Sequence, residues 1–348
     1  MPFRDILGHR STLALVARAI DRGTLPPSLI FSGPAGVGKR SVAIAVAQAI
    51  NCQNVQHPST APEAAASTFA IDACGACASC RRIARGIHPD VQTIAPGDTG
   101  AIKIDEIRDV LRQVGFRPFE ARRRVVIVDD AEALGREAQN ALLKTLEETP
   151  PGSMIILVTA QPGLLLDTVR SRCPTVRFGP LDVADLSRWL MTHEGLGEAQ
   201  ARSVAAMSGG SLAAARTASG AASGAEAYRT AAQRVLERVA GATDARDRLE
   251  STREITGKGR GTGASERDAL GHHLHAIAAL LRDISLVAAD ADRAAVANVD
   301  LMPSLEALAP AFDRDRSINA FAAVNRALEA LDYNASPKTV ADWIVLQL

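Results

Sequence analysis

Three stretches of this 348-residue chain carry side chains able to do chemistry. The first is Gly33-Pro-Ala-Gly36-Val-Gly38-Lys39, set between an apolar run at Ser28–Ser32 and a helical pattern over Lys39–Ile50. Glycines at these positions let backbone N–H groups wrap phosphates, and a lysine at the helix N-terminus neutralises them. The motif then asks for Ser or Thr to hold Mg²⁺, and the chain has Arg40, which cannot ligate a cation. Ser41 comes one residue late and points about 100° away around the helix. The second stretch is Val125-Val-Ile-Val128-Asp129-Asp130-Ala-Glu132. Asp129, at the end of a buried strand, suits a Mg²⁺ carboxylate. Asp130 stands where a Glu would polarise the attacking water, and is one methylene shorter. The competing readings are a ligand-free glycine turn and two acids solvating a strand end. Phosphate binding stays open, and efficient hydrolysis is not expected.

The third stretch is cysteine-rich. Cys52 is followed after 21 residues by Cys74-Gly-Ala-Cys77-Ala-Ser-Cys80. Two successive C-x-x-C steps place three thiolates round one tetrahedral ion, with Cys52 as the fourth ligand. No secretory signal opens the chain and no apolar run reaches 18 residues, so a reducing cytoplasmic setting is expected, with no membrane association. Disulfides fit that setting poorly, and clustered free thiols are an oxidation liability. A structural Zn²⁺ on Cys52, Cys74, Cys77 and Cys80 is expected, with metal-free thiols as the alternative. The Ala/Ser/Thr/Pro-rich Gln53–Ala73 segment reads as a loop.

The elements that must hold these groups alternate through the first 180 residues. Apolar runs occur at Ser28–Ser32, Val91–Ala95, Arg124–Asp129, Met154–Thr159 and Thr175–Phe178, with helical patterns at Arg10–Asp21, Lys39–Ile50, Lys103–Val114 and Arg136–Glu148. Near-continuous apolar strands alternating with helices predict a doubly wound parallel α/β domain. Beyond Pro180 the strand signal stops. Asp182–His193 and Gly197–Met207 read as helices, and a third begins at Ser211. Ala213–Ala225 reads as a helix end running into a linker, and Gly257–Ser265 as a mobile loop. Leu270, Leu274, Ile277, Leu281 and Ile284 form one seam of a long helix. Ser336 and Pro337 open a last helix whose apolar face is Val340, Trp343, Ile344 and Leu348. Lys+Arg and Asp+Glu both number 39 and aromatics are 3%. A free-standing DNA binder carries a basic excess to displace counterions, so this balance speaks against one.

The order of these features resembles the bacterial clamp-loader subunits of the AAA+ class. Phe3-Arg-Asp-Ile-Leu-Gly8-His9 precedes the phosphate loop, the cysteine insertion follows its helix, and the acid pair is followed by Asn140-Ala-Leu-Leu-Lys-Thr-Leu-Glu-Glu148. A strand ending Thr159-Ala-Gln-Pro162 comes next, then Ser171-Arg172-Cys173, and Leu331-Asp-Tyr-Asn334-Ala-Ser-Pro337 resembles the family's last collar helix. The resemblance implies an AAA+ domain over 1–179 with a zinc module at 52–80, a helical lid over 180–216 and a helical oligomerisation collar over 225–348. It implies a degenerate nucleotide site of Gly33, Gly36, Gly38, Lys39, Asp129, Asp130 and Thr159, and leaves ATP or ADP binding there open. It also implies that Arg172 acts as an arginine finger in a neighbouring subunit's ATP site.

Two branches of that family compete. The gamma/tau motor branch shares the cysteine site and the Asn140–Glu148 helix, yet calls for a Walker Thr, an Asp-Glu pair and a sensor arginine soon after Gly-Ser. Here these are Arg40, Asp129-Asp130 and Ala213, with Arg216 one turn late. The delta-prime branch is similar in His88-Pro89-Asp90 followed by Ala95-Pro96, in the degraded site beside a kept Arg172, and in a length that stops after the collar. The resemblance then implies a hetero-pentamer with gamma/tau and delta subunits that loads a sliding clamp on primed DNA as part of the DNA polymerase III holoenzyme, this chain being its rigid, non-hydrolysing member. A third reading, a zinc-stabilised nucleic-acid-binding protein, rests on Arg122-Arg123-Arg124, although a basic loop before a buried strand is more often simply solvated.

Overall fold

Five strands form one parallel sheet: Ser28–Ser32 (β1), Val91–Ile94 (β2), Arg124–Val128 (β3), Ser153–Thr159 (β4) and Thr175–Arg177 (β5), in the order β2-β3-β4-β1-β5. The computed structural model describes residues 1–57, 69–97, 100–220, 222–256, 263–291, 295–332 and 335–348. β1 and β4 are buried at every position, so neither has a face that could tolerate charge. Alternate residues serve opposite faces. Leu29 and Phe31 pack with Leu13, Val16, Val42 and Val46 from Arg10–Asp21 (α1) and Lys39–Asn51 (α2). Ile30 packs on the other face with Ile107 and Leu142, from Ile104–Val114 (α4) and Arg136–Glu147 (α5). Ala78–Ala84 (α3) carries Cys80 and closes the cysteine insertion, and Asp167–Arg170 (α6) precedes β5. Parallel pairing puts the C-terminal ends of β1, β3 and β4 side by side, which is where the phosphate loop, the acid pair and Thr159 fall.

A buried carboxylate fixes the chain ahead of β3. Asp90 accepts from the N–H groups of Phe119 (2.8 Å), Glu120 (2.8 Å) and Ala121 (3.0 Å), and from Arg124 Nη2 at 3.0 Å. Its own N–H donates to His88 Nδ1 at 3.1 Å. Burial alone would raise the Asp90 carboxyl; the three N–H donors and the guanidinium overcome that and hold it down at about 2. A depressed carboxylate stabilises the fold above its unfolded pKa of 3.8, and that stabilisation is lost as pH falls through the folded value. A shift of this size corresponds to about 2 kcal/mol. Asp90→Asn is therefore expected to cost about 2 kcal/mol in urea unfolding at pH 7. Its deficit relative to the unsubstituted chain should shrink between pH 4 and pH 2, and a pH-independent deficit would contradict the assignment.

Residues Met1–Leu181 make one unit and Asp182–Leu348 a second. Among the described residues of the second, the secondary structure is all helical, with the main helices Val183–His193 (α7), Glu198–Met207 (α8), Leu212–Gly220 (α9), Ala222–Gly241 (α10), Ala245–Glu250 (α11), Thr252–Ile255 (α12), Gly263–Ala288 (α13), Met302–Leu308 (α14), Arg314–Asp332 (α15) and Pro337–Gln347 (α16). The seam Leu270, Leu274, Ile277, Leu281 and Ile284 of α13 is buried, and α13 packs against α8, α10 and α15. Asp283, also on α13, is buried and accepts from the backbone N–H of Asn298 at 2.8 Å, while Asn298 Oδ1 accepts from Ser203 of α8 at 3.2 Å. Residue 221 lies outside the described residues; the rest of the stretch Ala213–Ala225, expected to be a helix end running into a linker, belongs to α9 (213–220) and α10 (222–225). Its alanines are the strongest helix formers, and α9 also packs on α7 and α8. Of the expected loop Gly257–Ser265, residues 257–262 lie outside those described, and Gly263 already opens α13. Tyr333 and Asn334 lie outside the described residues as well. No helix among the described residues is long and apolar enough to cross a membrane.

Candidate functional site

The loop between β1 and α2 has the backbone of a phosphate cradle. Gly33 must be glycine because a Cβ there would sit 2.2 Å from the Phe178 carbonyl oxygen. Gly36 and Gly38 have φ of +73° and +101°, which L side chains rarely adopt, and Gly38 caps α2. Lys39 is buried, and its Nζ donates to the carbonyls of Gly33 (2.7 Å) and Pro34 (2.6 Å). Burial lowers the Lys39 pKa, and the carboxylates of Glu132, Asp130 and Asp129 oppose that shift.

Arg40 does more than displace a metal-ligating hydroxyl. Its Nη1 lies 3.2 Å from Asp129 Oδ2, so the carboxylate expected to hold Mg²⁺ is ion-paired within the chain. The Arg40 side chain is 55% exposed and that of Asp129 13%. Burial raises the Asp129 pKa, the Asp130 charge adds to the rise, and Arg40 pulls it back. Asp130 adopts the left-handed conformation, φ +47°, which a short polar side chain tolerates. Thr159 is fully buried at the end of β4, and its hydroxyl accepts from the N–H of Gln161 at 3.0 Å. The residues present do not fit Mg²⁺ at this position: the hydroxyl is missing and the carboxylate is already paired with a cation.

The sequence did not single out two neighbours. Glu132 Oε1 accepts from the Ala160 N–H at 2.9 Å, linking the segment after β3 to the end of β4, while its Oε2 is buried with no hydrogen-bond partner among the described residues. His9 Nε2 lies 2.9 Å from the Val37 carbonyl, bracing the phosphate loop from the N-terminal segment. The signal for Glu132 was its place two residues beyond the acid pair; for His9 it was the Phe3–His9 motif, which does not reveal a partner 28 residues on.

The four cysteines converge. The sulfurs of Cys52, Cys74, Cys77 and Cys80 all lie within 4.8 Å of one another. A tetrahedral Zn²⁺ with bonds of about 2.3 Å asks for sulfurs about 3.8 Å apart, so the set fits a four-thiolate ion with little movement. Backbone N–H groups already face the sulfurs, Cys74 N to Cys52 Sγ at 3.3 Å, Cys77 N to Cys74 Sγ at 3.2 Å and Cys80 N to Cys77 Sγ at 3.4 Å. Such donors favour thiolate. Burial raises the Cys77 thiol, yet the N–H groups of Cys80 and Gln53 prevail and bring it to about 6. The insertion's ends close on each other through a Gln56–Asp72 bridge, and Asp72 accepts from the Phe3 N–H (2.8 Å) and Arg4 Nη1 (3.0 Å). Residues 58–68 of the expected Gln53–Ala73 loop lie outside those described. Cys173 is elsewhere, buried among Ile107, Leu142 and Val169.

Arg172 follows α6 at the surface, its side chain one-third exposed. Nε donates to Glu147 Oε1 at 2.8 Å, Nη2 contacts the same oxygen, and Nη1 donates to the Thr168 carbonyl at 2.9 Å. Glu147, the last residue of α5, escaped the sequence reading because 25 residues separate the pair. In the second unit Ala213 lies in the first turn of α9, and Arg216 pairs with Glu194 at 3.7 Å and stacks over Trp189 at 5.9 Å. Of Arg122-Arg123-Arg124, Arg124 is committed to Asp90.

The loop after β1, the acid pair after β3 and the sheet order define a P-loop domain of the AAA+ class carrying a four-cysteine insertion. The chain belongs to the family described as "DNA polymerase III, delta subunit", whose model matches residues 8–182. It is 38% identical over 148 residues to DNA polymerase III subunit delta' of Pseudomonas aeruginosa, 41% of this chain and 40% of that protein. It is 32% identical over 188 residues to DNA polymerase III subunit tau of Escherichia coli, 54% of this chain and 27% of that protein. The matched stretches thus span less than half of these relatives. Among solved structures, a gamma-subunit-related DNA polymerase III protein of Thermotoga maritima is 19% identical, with a TM-score of 0.42 over 96% of this chain and 97% of that one.

Proposed function

We propose that the chain is a delta-prime-type subunit of a DNA polymerase III clamp loader, one that does not hydrolyse ATP itself and serves a neighbour's site. The observation that carries this reading is the Arg40–Asp129 ion pair inside an otherwise complete phosphate loop. Efficient phosphoryl transfer needs a metal bridging the phosphates and a positioned water. Here the metal's carboxylate is held by a guanidinium, the water-polarising acid is one methylene short, and Ala213 replaces a sensor arginine. Arg172, by contrast, stays at the surface with a replaceable partner. On this reading the AAA+ domain (1–179), lid (180–216) and collar (225–348) join gamma/tau and delta subunits in a hetero-pentameric ring in the cytoplasm. The ring acts on a sliding clamp and primed DNA, and Zn²⁺ closes the cysteine module.

The isolated chain is expected to release phosphate from ATP at background rate, with or without DNA and clamp, and Lys39→Ala should change nothing. Loss of positioned charges of this kind costs roughly 10²–10³ each in other enzymes. Stimulated turnover abolished by Lys39→Ala would replace this reading with the gamma/tau motor reading, which the 32% identity to a tau subunit keeps in view. The nucleic-acid-binding alternative loses Arg124 to its pairing with Asp90, and salt-dependent DNA binding by the isolated chain would restore it.

A further inference from the structure

We infer that Arg40 takes the place of Mg²⁺ in the phosphate loop, so that the site binds the polyphosphate tail of a nucleotide without a divalent cation. This rests on the reading of the loop as a nucleotide site, and it concerns what that site requires. An ordinary site of this type sets Lys against two acids and is completed by Mg²⁺, which bridges the acid and the phosphate oxygens. Here a fixed cation is already on the acid, Arg40 Nη1 standing 3.2 Å from Asp129 Oδ2.

A guanidinium has five N–H donors in a rigid fork, and Asp129 takes one side of it. The rest of the fork is free to meet a phosphate oxygen, because the Arg40 side chain is 55% exposed and makes no other ion pair among the described residues. Arginine and phosphate pair strongly in this manner. Arg40 thereby contributes one permanent positive charge where Mg²⁺ would bring two, and the N–H groups at the start of α2 add a partial charge of the same sign. The remaining cradle is intact: Gly36 and Gly38 keep positive φ, and Lys39 is buried and pinned to the loop carbonyls.

The acids Asp129, Asp130 and Glu132 face Lys39. They oppose an anion, and they are also what a divalent ion would seek. For Mg²⁺ to bind Asp129 it must first displace a guanidinium, and the Mg²⁺-complexed nucleotide arrives with its phosphate oxygens already occupied. Excess Mg²⁺ should therefore compete with binding rather than assist it. The same arrangement separates binding from turnover: a guanidinium can hold the tail but cannot activate water.

The test is calorimetry of the full chain, zinc retained, with ATP in excess Mg²⁺ and then in the presence of sufficient citrate to remove free Mg²⁺ without stripping a four-thiolate zinc site. Binding is expected to be tighter without Mg²⁺ than in excess Mg²⁺, by about threefold or more. Pyrophosphate should compete with ATP under the metal-free condition. Arg40→Thr, which restores the metal-ligating hydroxyl and frees Asp129, should reverse the order and bind about tenfold tighter with Mg²⁺. Circular dichroism and metal content establish that this variant is folded. Binding by the unsubstituted chain that requires Mg²⁺, or no binding to millimolar ATP in either condition, overturns the inference. Co-purification with gamma/tau and delta subunits is scored separately, so a chain that assembles but binds only Mg²⁺-ATP refutes this inference and leaves the loader assignment standing.

Discussion

Purified without chelators, the chain is expected to carry one equivalent of Zn²⁺, and Cys77→Ser to lose most of it. The four sulfurs lie within 4.8 Å of one another, and three backbone N–H groups donate to them. A four-thiolate shell leaves no open coordination position, so the ion's contribution is to folding. The insertion reaches the N-terminal segment through Asp72, which receives Phe3 N–H and Arg4. It also reaches α2 through Gln48, whose side-chain amide donates to the Cys80 carbonyl at 2.7 Å. In isolated zinc fingers a structural ion is worth about 10–16 kcal/mol at pH 7. This domain has a sheet core of its own, so Cys77→Ser should cost it less, about 3–5 kcal/mol, seen as a lowered Tm. Cys173→Ala is the control: burial pushes that thiol up to about 11, it packs against Ile107 and Leu142, and metal content should stay at one equivalent. Elemental analysis finding no zinc in chelator-free protein refutes the site, and equal zinc in Cys77→Ser shows that the ion sits elsewhere.

The parts of this molecule legible in its sequence are those whose determinants are local. β1 and β3 are near-continuous apolar runs, and all five strands fall within one residue at either end of the expected positions. The α13 seam showed its helical period, and the cysteine spacing announced its cluster. The failures have physical causes. Ala213–Ala225 reads as a helix end running into a linker because alanine, serine and glycine are also linker residues; composition does not reveal that α9 packs on α7 and α8. Arg40 was recognised as displacing a metal ligand, but its seat on Asp129 joins residues 89 positions apart and no periodicity encodes that. Glu147 beside Arg172 and the three N–H groups on Asp90 are equally non-local. The sequence therefore shows which reactive side chains the chain carries, while the pairings among them emerge only with the fold.

Arg172→Ala is expected to leave folding, zinc content and ring assembly intact while reducing DNA-stimulated ATP turnover and clamp loading by the reconstituted loader. At rest the guanidinium donates to Glu147 and to the Thr168 carbonyl, both at the surface. The Arg172 and Glu147 side chains are 33% and 50% exposed, and pairs so placed are worth about 0–1 kcal/mol. Exchanging Glu147 for a neighbour's γ-phosphate thus costs little, and removing the side chain should move the chain's own Tm by no more than a degree or two. The effect on a neighbouring active site is of another order. A guanidinium stabilising charge on a transferring phosphoryl group accelerates that step by about 10³–10⁵ in other systems. On the proposed loader reading one chain would serve one site in a ring with several, so the assembly's total turnover should fall in part, whereas single-site turnover at the adjoining subunit should nearly vanish. Arg172→Lys should restore little, because a point charge does not reproduce the planar fork. Glu147→Gln supplies a converse check: it neutralises the resting partner and keeps the arginine, so turnover should be preserved or raised. Steady-state hydrolysis and clamp loading by complexes carrying each variant decide the matter. Wild-type rates with Arg172→Ala would make the arginine an ordinary surface charge and the chain a passive member of the ring.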